Sequence, residues 1–306
     1  MIDCAFVFPG QGSQYLGMCK DDFFSEYPYK TFFEIASKKF DIDILNICRN
    51  GPTEKLNSTY IAQPAILIHS LIIDKILKKN GIKSKAVAGH SLGEYTALVS
   101  SGVLSFEECL DILIVRCREM EKANNKYMGA MLAVINEDIE SIEKVCNQFD
   151  NTVIANINSQ NQIIISGPNS EIEKSIEILK SYSIKKLIKL NVAGAFHSPL
   201  MDIANVSLNK VINSVNFKDA NCAIYQNVSA KDLIFGSEIK ENLMKQLTGT
   251  VNWYKTIKNM EKNNIDTIIE LGPKKVLSKL AKKINSNFKI LSIDNLSDLQ
   301  LHGFKI

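Results

Sequence analysis

The stretch that most constrains this chain is Gly89-His90-Ser91-Leu92-Gly93. It lies directly after the apolar run Ala86-Val87-Ala88 and directly before the helix-like Glu94-Tyr95-Thr96-Ala97-Leu98-Val99. A G-x-S-x-G pentapeptide in that setting predicts a strand, a tight turn and a helix in immediate succession, with the serine hydroxyl projected clear of the sheet. The flanking glycines permit the strained backbone and close packing that such a turn needs. The new helix also directs its free N–H groups toward any charge that develops on an attacked carbonyl. Gly and Ser are common in ordinary turns as well; the strand before and the helix after are what favour a nucleophile.

With 306 residues, 45% hydrophobic and 23% charged, the chain has the composition of a globular protein of one large domain or two modest ones. Thirty-six Lys and Arg against 33 Asp and Glu leave a formal charge of +3, which gives no case for nucleic acid as a partner. The seven cysteines (Cys4, Cys19, Cys48, Cys109, Cys117, Cys146, Cys222) are odd in number, scattered and never spaced C-x-x-C. That pattern argues against a disulfide framework and a zinc site, predicts no metal, and fits a reducing compartment. The longest apolar run, Ile61 to Leu77, is interrupted by Gln63, Pro64, His69, Asp74 and Lys75, and Asp3 stands where a signal peptide has a basic region. The expectation is neither a membrane span nor a signal peptide, and a cytoplasmic location, or an organellar stroma if a targeting segment has been removed.

Short apolar runs alternate with helical patterns over the first 123 residues. Cys4–Phe8 reads as a strand, Phe32–Phe40 and Ala65–Lys79 as helices, and Lys85–Ala88 as a strand, which is the grammar of an α/β fold with a parallel sheet. Beyond Asn124-Asn125-Lys126 the grammar changes. Strand Ala130–Ile135, helix Asp138–Phe149, strands Val153–Ile157 and Gln162–Ser166, helix Ser170–Tyr182 and strand Lys186–Leu190 spell βαββαβ, a ferredoxin-like unit. Asn169-Ser170 offers an N-cap for the second of those helices. After residue 194 the α/β pattern resumes, with strands Ala223–Val228 and Thr267–Leu271 and helix Lys274–Ile284. The expected organisation is an α/β-hydrolase-like body, 1–123 and 194–306, carrying an inserted ferredoxin-like subdomain at 124–193.

A serine hydroxyl needs a base within hydrogen-bond reach. Of the four histidines, His69 sits in an apolar helix and reads as core, His302 lies near the C-terminus, and His90 is held beside the serine with its side chain directed elsewhere. His197 remains, in Gly194-Ala195-Phe196-His197-Ser198-Pro199, where the insertion rejoins the body. The loop Phe8-Pro9-Gly10-Gln11-Gly12-Ser13-Gln14 follows a strand but lacks the Lys-Ser/Thr of a phosphate-binding loop and any G-x-G-x-x-G. It better suits a backbone N–H donor to an oxyanion.

These segments, with Gln63-Pro64-Ala65, Glu94-Tyr95, Arg116, Asn158-Ser159 leading into Gln162–Gly167, Leu200-Met201 and Glu270-Leu271-Gly272-Pro273, together resemble the malonyl-CoA:acyl carrier protein transacylase family, in its order and over nearly the whole chain. The resemblance implies ping-pong transfer of malonyl from CoA, as substrate, to the phosphopantetheine thiol of acyl carrier protein, with no tightly bound cofactor. It makes Ser91 the nucleophile, His197 the base, and the N–H groups of Gln11 and Leu92 the oxyanion hole. Arg116 becomes the partner of the malonyl carboxylate, Gln63 and Asn158 substrate-side contacts, and Asn252 the residue whose backbone carbonyl orients the histidine. A planar guanidinium suits a carboxylate bidentately; by sequence alone an Arg followed by Cys117-Arg118-Glu119 on a helix is more often a solvated surface residue, and only the resemblance reverses that reading. Lys274 departs from the family, in which glycine is frequent there, and puts the local turn in doubt.

Lys274, Lys275, Lys279, Lys282 and Lys283 share one helical segment, read either as a solvated face or as a docking patch for an acidic carrier. Fatty acid synthesis is the expected setting. A trans-acting polyketide acyltransferase is the nearest variant, and a serine hydrolase or thioesterase and a silent carrier-binding module are the alternatives from other classes.

Overall fold

The computed structural model describes residues 4–192 and 194–306. The readings placed on Asp3 and on a boundary at 193 lie outside the described residues.

Ten strands form two sheets among the described residues: β1 (Cys4–Phe8), β2 (Ala86–Gly89), β3 (Gly129–Ile135), β4 (Val153–Ser159), β5 (Gln162–Pro168), β6 (Leu187–Lys189), β7 (Ala223–Tyr225), β8 (Asp232–Leu233), β9 (Thr267–Leu271) and β10 (Lys289–Ile293). The larger sheet runs β10-β9-β1-β2-β7-β8 and is parallel except for the β7–β8 pair. A parallel strand covered by helices on both faces must be apolar at every position, and all five residues of β1 are fully buried. Cys4, Phe6 and Phe8 share one core with Ile66, Leu67 and Leu98, whereas the smaller Ala5 and Val7 share another with Trp253, Ile257 and Leu277. Each large apolar side chain so buried contributes roughly 1.5–3 kcal/mol.

The helix Thr59–Lys79 is long and apolar enough to cross a membrane by composition, with mean hydropathy 1.3, but 89% of that window is buried inside the protein. It is the central core helix. The helix Phe106–Lys126 starts from a capping box in which Ser105 and Glu108 satisfy each other's backbone N–H groups.

The smaller sheet, order β4-β5-β3-β6, is antiparallel throughout. Period-two alternation gives it two working faces. Ala130, Leu132, Val134, Ile163 and Ile165 pack on its own helices Ile139–Cys146 and Asn169–Ser181, while Met131, Ala133 and Ile164 join the core of the body. Its β4 edge is stitched to the body by the Ile157 N–H donating to Val251 (3.0 Å), the Val251 N–H donating to Ala155 (2.8 Å), and Thr250 Oγ1 donating to Ile154 (2.8 Å).

Two local expectations need correction. The helix expected to be capped by Asn169-Ser170 starts at Asn169, with Pro168 before it and no side-chain cap. The helix expected from Lys274 starts at Val276, because Lys274 itself takes a left-handed turn (φ 66°). The buried Glu270 caps that helix by accepting from the N–H groups of Leu277 (2.9 Å) and Ser278 (2.7 Å).

Candidate active site

Ser91 sits between β2 and the helix Leu92–Ser100 with φ 51° and ψ −106°. The glycines around it are dictated by backbone contact. A Cβ on Gly89 would lie 1.8 Å from the Gly93 carbonyl carbon, and one on Gly93 would lie 2.0 Å from the Phe8 oxygen. The turn is therefore wedged between β1 and its own helix.

His197 Nε2 is 2.8 Å from Ser91 Oγ. The histidine occupies a left-handed position (φ 56°) in a loop held by Ser198 Oγ, which donates to the Ala195 carbonyl (2.7 Å). Its Nδ1 faces two carbonyls, Gln246 at 2.9 Å and Gly249 at 3.1 Å. Carbonyls only accept, so Nδ1 carries the proton and Nε2 presents its lone pair to the serine. Burial, seconded by the Arg116 charge, pushes the imidazole down to about 3, so it is neutral and able to accept a proton at neutral pH. The expectation that Asn252 supplies the orienting carbonyl is overturned. Gln246 and Gly249 hold the ring, and Asn252 is turned to another task, its N–H donating to the Asn227 carbonyl (2.8 Å).

Arg116 is 1% exposed and lies over the Tyr95 ring, its guanidinium carbon 5.1 Å from the ring centre. Nη1 donates to Gln63 Oε1 (2.6 Å), while Nη2 is shared between Ser91 Oγ (3.2 Å) and Gln246 Oε1 (3.3 Å). Nε has no hydrogen-bond partner. One end of the guanidinium is thus anchored, and Nη2 reaches Ser91, while Nε is buried without a partner.

Gln63 is fully buried behind Arg116 and is not on the cleft wall, so the expectation of a direct substrate contact becomes one of anchoring the arginine. Asn158 does line the cleft, with its Oδ1 2.8 Å from His90 Nε2. Gln11 and Leu92 line it too, opposite Met131 and Ile164 of the small sheet. Leu92 is the first residue of its helix, so its N–H has no partner within that helix. In the loop of Gln11 the neighbouring N–H groups are already used, Gly12 on Gln14 Oε1 (2.7 Å) and Ser13 on the Gly10 carbonyl (3.2 Å).

The cleft encloses about 390 Å³ between the body and the small sheet, walled by Met120, Met131, Ile164, Phe196 and Leu280. A wider depression of about 630 Å³ near Lys30 and Asp41 has no histidine or cysteine in its lining. Among the described residues no cluster of His, Cys, Asp or Glu could hold a metal. All five lysines of the 274–283 segment are exposed; Lys279, Lys282 and Lys283 stand on the helix Val276–Ile284, which contributes Leu277 and Leu280 to the cleft, and Lys274 and Lys275 precede it.

Three residues at the site have no role assigned from the sequence. Gln246 joins the centre, its side-chain Nε2 donating to the Ser91 carbonyl (2.8 Å). Glu94 is fully buried, and burial, opposed by N–H donors from Asn227 and Gln226, pushes its carboxyl up to about 7. Asn227 bonds to the Gly89–Ser91 turn itself.

Residues 5–297 match the family described as acyl transferase domain. The chain is 36% identical over 305 residues to the malonyl CoA-acyl carrier protein transacylase of Bacillus subtilis (strain 168), covering 98% of this chain and 96% of that protein. The acyl carrier protein S-malonyltransferase structure from Vibrio cholerae superposes with a TM-score of 0.93 at 32% identity, covering 98% of this chain and 99% of the other. A type II PKS acyl-carrier protein in complex with its malonyl-transacylase gives 0.92 at 31% identity, with coverage of 97% and 98%.

Proposed function

This chain belongs to the malonyl-CoA:acyl carrier protein transacylase family, and on that premise we propose that it moves malonyl from CoA to a carrier-protein thiol through an ester on Ser91. It is an acyltransferase. Ser91 Oγ attacks the thioester carbonyl as His197 Nε2 takes the hydroxyl proton. The tetrahedral oxyanion meets the N–H groups of Gln11 and Leu92, and collapse expels the CoA sulfur, which takes the proton back from His197. The phosphopantetheine thiol then enters, gives its proton to His197 and attacks the ester carbonyl. Ser91 leaves with that proton restored.

The observation that carries this reading is Arg116, a buried guanidinium 3.2 Å from the nucleophile and anchored at one end by Gln63. Such a group is costly beside a plain acyl chain and well matched to an acyl chain ending in a carboxylate. The test is intact-mass spectrometry after mixing with malonyl-CoA and acetyl-CoA. A stable malonyl adduct, absent in Ser91→Ala, is expected; preferential acetylation, or rapid loss of the ester to water as in a hydrolase, would overturn the assignment.

The reaction as written needs no bound cofactor or metal, and its substrates suit the cytoplasm. We assign the carrier to fatty acid synthesis, with a polyketide carrier as the variant that a carrier panel distinguishes. Lys275, Lys279, Lys282 and Lys283, exposed on and just before the helix that lends Leu277 and Leu280 to the cleft, are the face we assign to an acidic carrier. Reversing two of these charges should raise KM for the carrier and leave Ser91 acylation by malonyl-CoA unchanged; an unaltered KM would remove them from the docking face.

A further inference from the structure

We propose that Asn227 is the positioning residue of the nucleophile, its side-chain amide spanning the Ser91 turn while Glu94 holds its backbone in place. Both ends of the amide are used. Nδ2 donates to the Gly89 carbonyl (2.6 Å) and Oδ1 accepts from the Ser91 N–H (2.7 Å), so one planar group bridges the residue where the strand ends and the residue that reacts. The backbone it holds is one an L-residue rarely adopts, with φ 51° and ψ −106°. A strained turn persists only where its surroundings over-determine it, and this bridge supplies that constraint from a different strand, β7, whose end lies two residues before Asn227.

Asn227 is itself fixed from both sides. Its N–H donates to Glu94 Oε2 (2.7 Å) and its carbonyl accepts from Asn252 N–H (2.8 Å), while Gln226 Nε2 holds Glu94 Oε1 (3.1 Å). Glu94 lies in the first turn of the helix that Ser91 introduces. The bonds therefore form a closed circuit from turn to Asn227, to Glu94, and through the helix back to the turn. The circuit also assigns the N–H groups. Asn227 occupies that of Ser91, so the donor this turn can offer an oxyanion is the next one, on Leu92.

No other side chain of this length offers both a donor and an acceptor in one plane. Asp at 227 keeps the acceptor but sets an oxygen against the Gly89 carbonyl, Ala removes both bonds, and neither substitution touches the cleft, whose lining does not include Asn227. The proposal rests on the acyl-transfer reading only for the acyl donor used to test it. The experiment measures single-turnover acylation of Asn227→Ala and Asn227→Asp over a range of malonyl-CoA, sulfonylation of Ser91 by phenylmethylsulfonyl fluoride, and thermal unfolding. Asn259→Ala, which removes a comparable side-chain bond to the Ala230 carbonyl (2.9 Å) away from the turn, serves as the control.

A displaced nucleophile should lower the maximal acylation rate roughly 30- to 100-fold with half-saturation changed less than about threefold, and sulfonylation should fall in parallel. Asn259→Ala should lose thermal stability and keep its rate. Folded Asn227 variants that react within about threefold of the parent, or that lose only affinity, overturn the proposal. Should Asn227→Ala fail to fold, the nearly isosteric Asn227→Asp decides alone. A parent enzyme that is sulfonylated but never malonylated would refute the proposed substrate, and the sulfonylation rates would still decide the role of Asn227.

Discussion

Replacing Arg116 by Ala should abolish the preference for a carboxylate-bearing acyl group, and the size of the loss follows from the bonds already made. Nη1 is committed to Gln63 at 2.6 Å, whereas Nη2 is divided between two acceptors at 3.2 and 3.3 Å and Nε has none. A carboxylate brought to Nη2 gains charge-assisted hydrogen bonding worth roughly 1.5–3 kcal/mol, and truncating the cation leaves a buried anion unpaired, a loss of about 2–5 kcal/mol. Taking about 3–4 kcal/mol, kcat/KM for malonyl-CoA should fall roughly 10²- to 10³-fold, while acetyl-CoA, which has nothing to place there, should change by less than about fivefold. Arg116→Lys should recover part of the loss, since a point charge on a flexible stem cannot span both oxygens. The assay is competition between the two thioesters, read as the ratio of malonyl to acetyl adduct on Ser91 by intact mass. An Arg116→Ala enzyme that still selects malonyl more than about tenfold would refute the reasoning and direct attention to another carboxylate reader, such as the Asn158 amide.

Two pH predictions come from the same centre. His197 is held at about 3 by burial and by Arg116, so the maximal acylation rate should stay level from pH 8 down to about 5; a decline centred near 6.5 would show a solvated histidine. Glu94 has its pKa raised from 4.5 to about 7 in the folded state, so its contribution to stability is fully present below 4.5 and is lost as pH rises through 7. Glu94→Gln should accordingly match the parent near pH 4.5 and exceed it in melting temperature above pH 7, and a difference independent of pH would contradict the buried carboxylate.

The turn at Ser91 was legible because a strand, two glycines and a helix around it are local features that the chain spells in order. His197, which the fold brings to 2.8 Å from Ser91 Oγ, emerged because so few histidines compete and because it stands in a loop of small residues. The error at Asn252 has a physical cause. Any residue can lend a backbone carbonyl, so the side chain at that position says nothing, and only the folded path brings Gln246 and Gly249 to within 2.9 and 3.1 Å of Nδ1. Glu94 and Asn227 escaped for a related reason. A glutamate in the first turn of a helix ordinarily faces water, and an asparagine past a strand end ordinarily forms a turn; their burial is set by contacts 133 positions apart in the chain. The start of the last long helix was displaced by Lys274, whose left-handed backbone a non-glycine residue does not advertise.

The short stretch 246–251 has two attachments. The carbonyls of Gln246 and Gly249 grip His197, and Thr250 and Val251 stitch the edge of the small sheet to the body. Because the small sheet forms one wall of the cleft, wall and base are geared to the same peptide. An acyl group broad enough to push the wall outward would drag the histidine off its 2.8 Å line to Ser91. Oversized substrates would then be rejected at the proton transfer itself, after they had already been admitted.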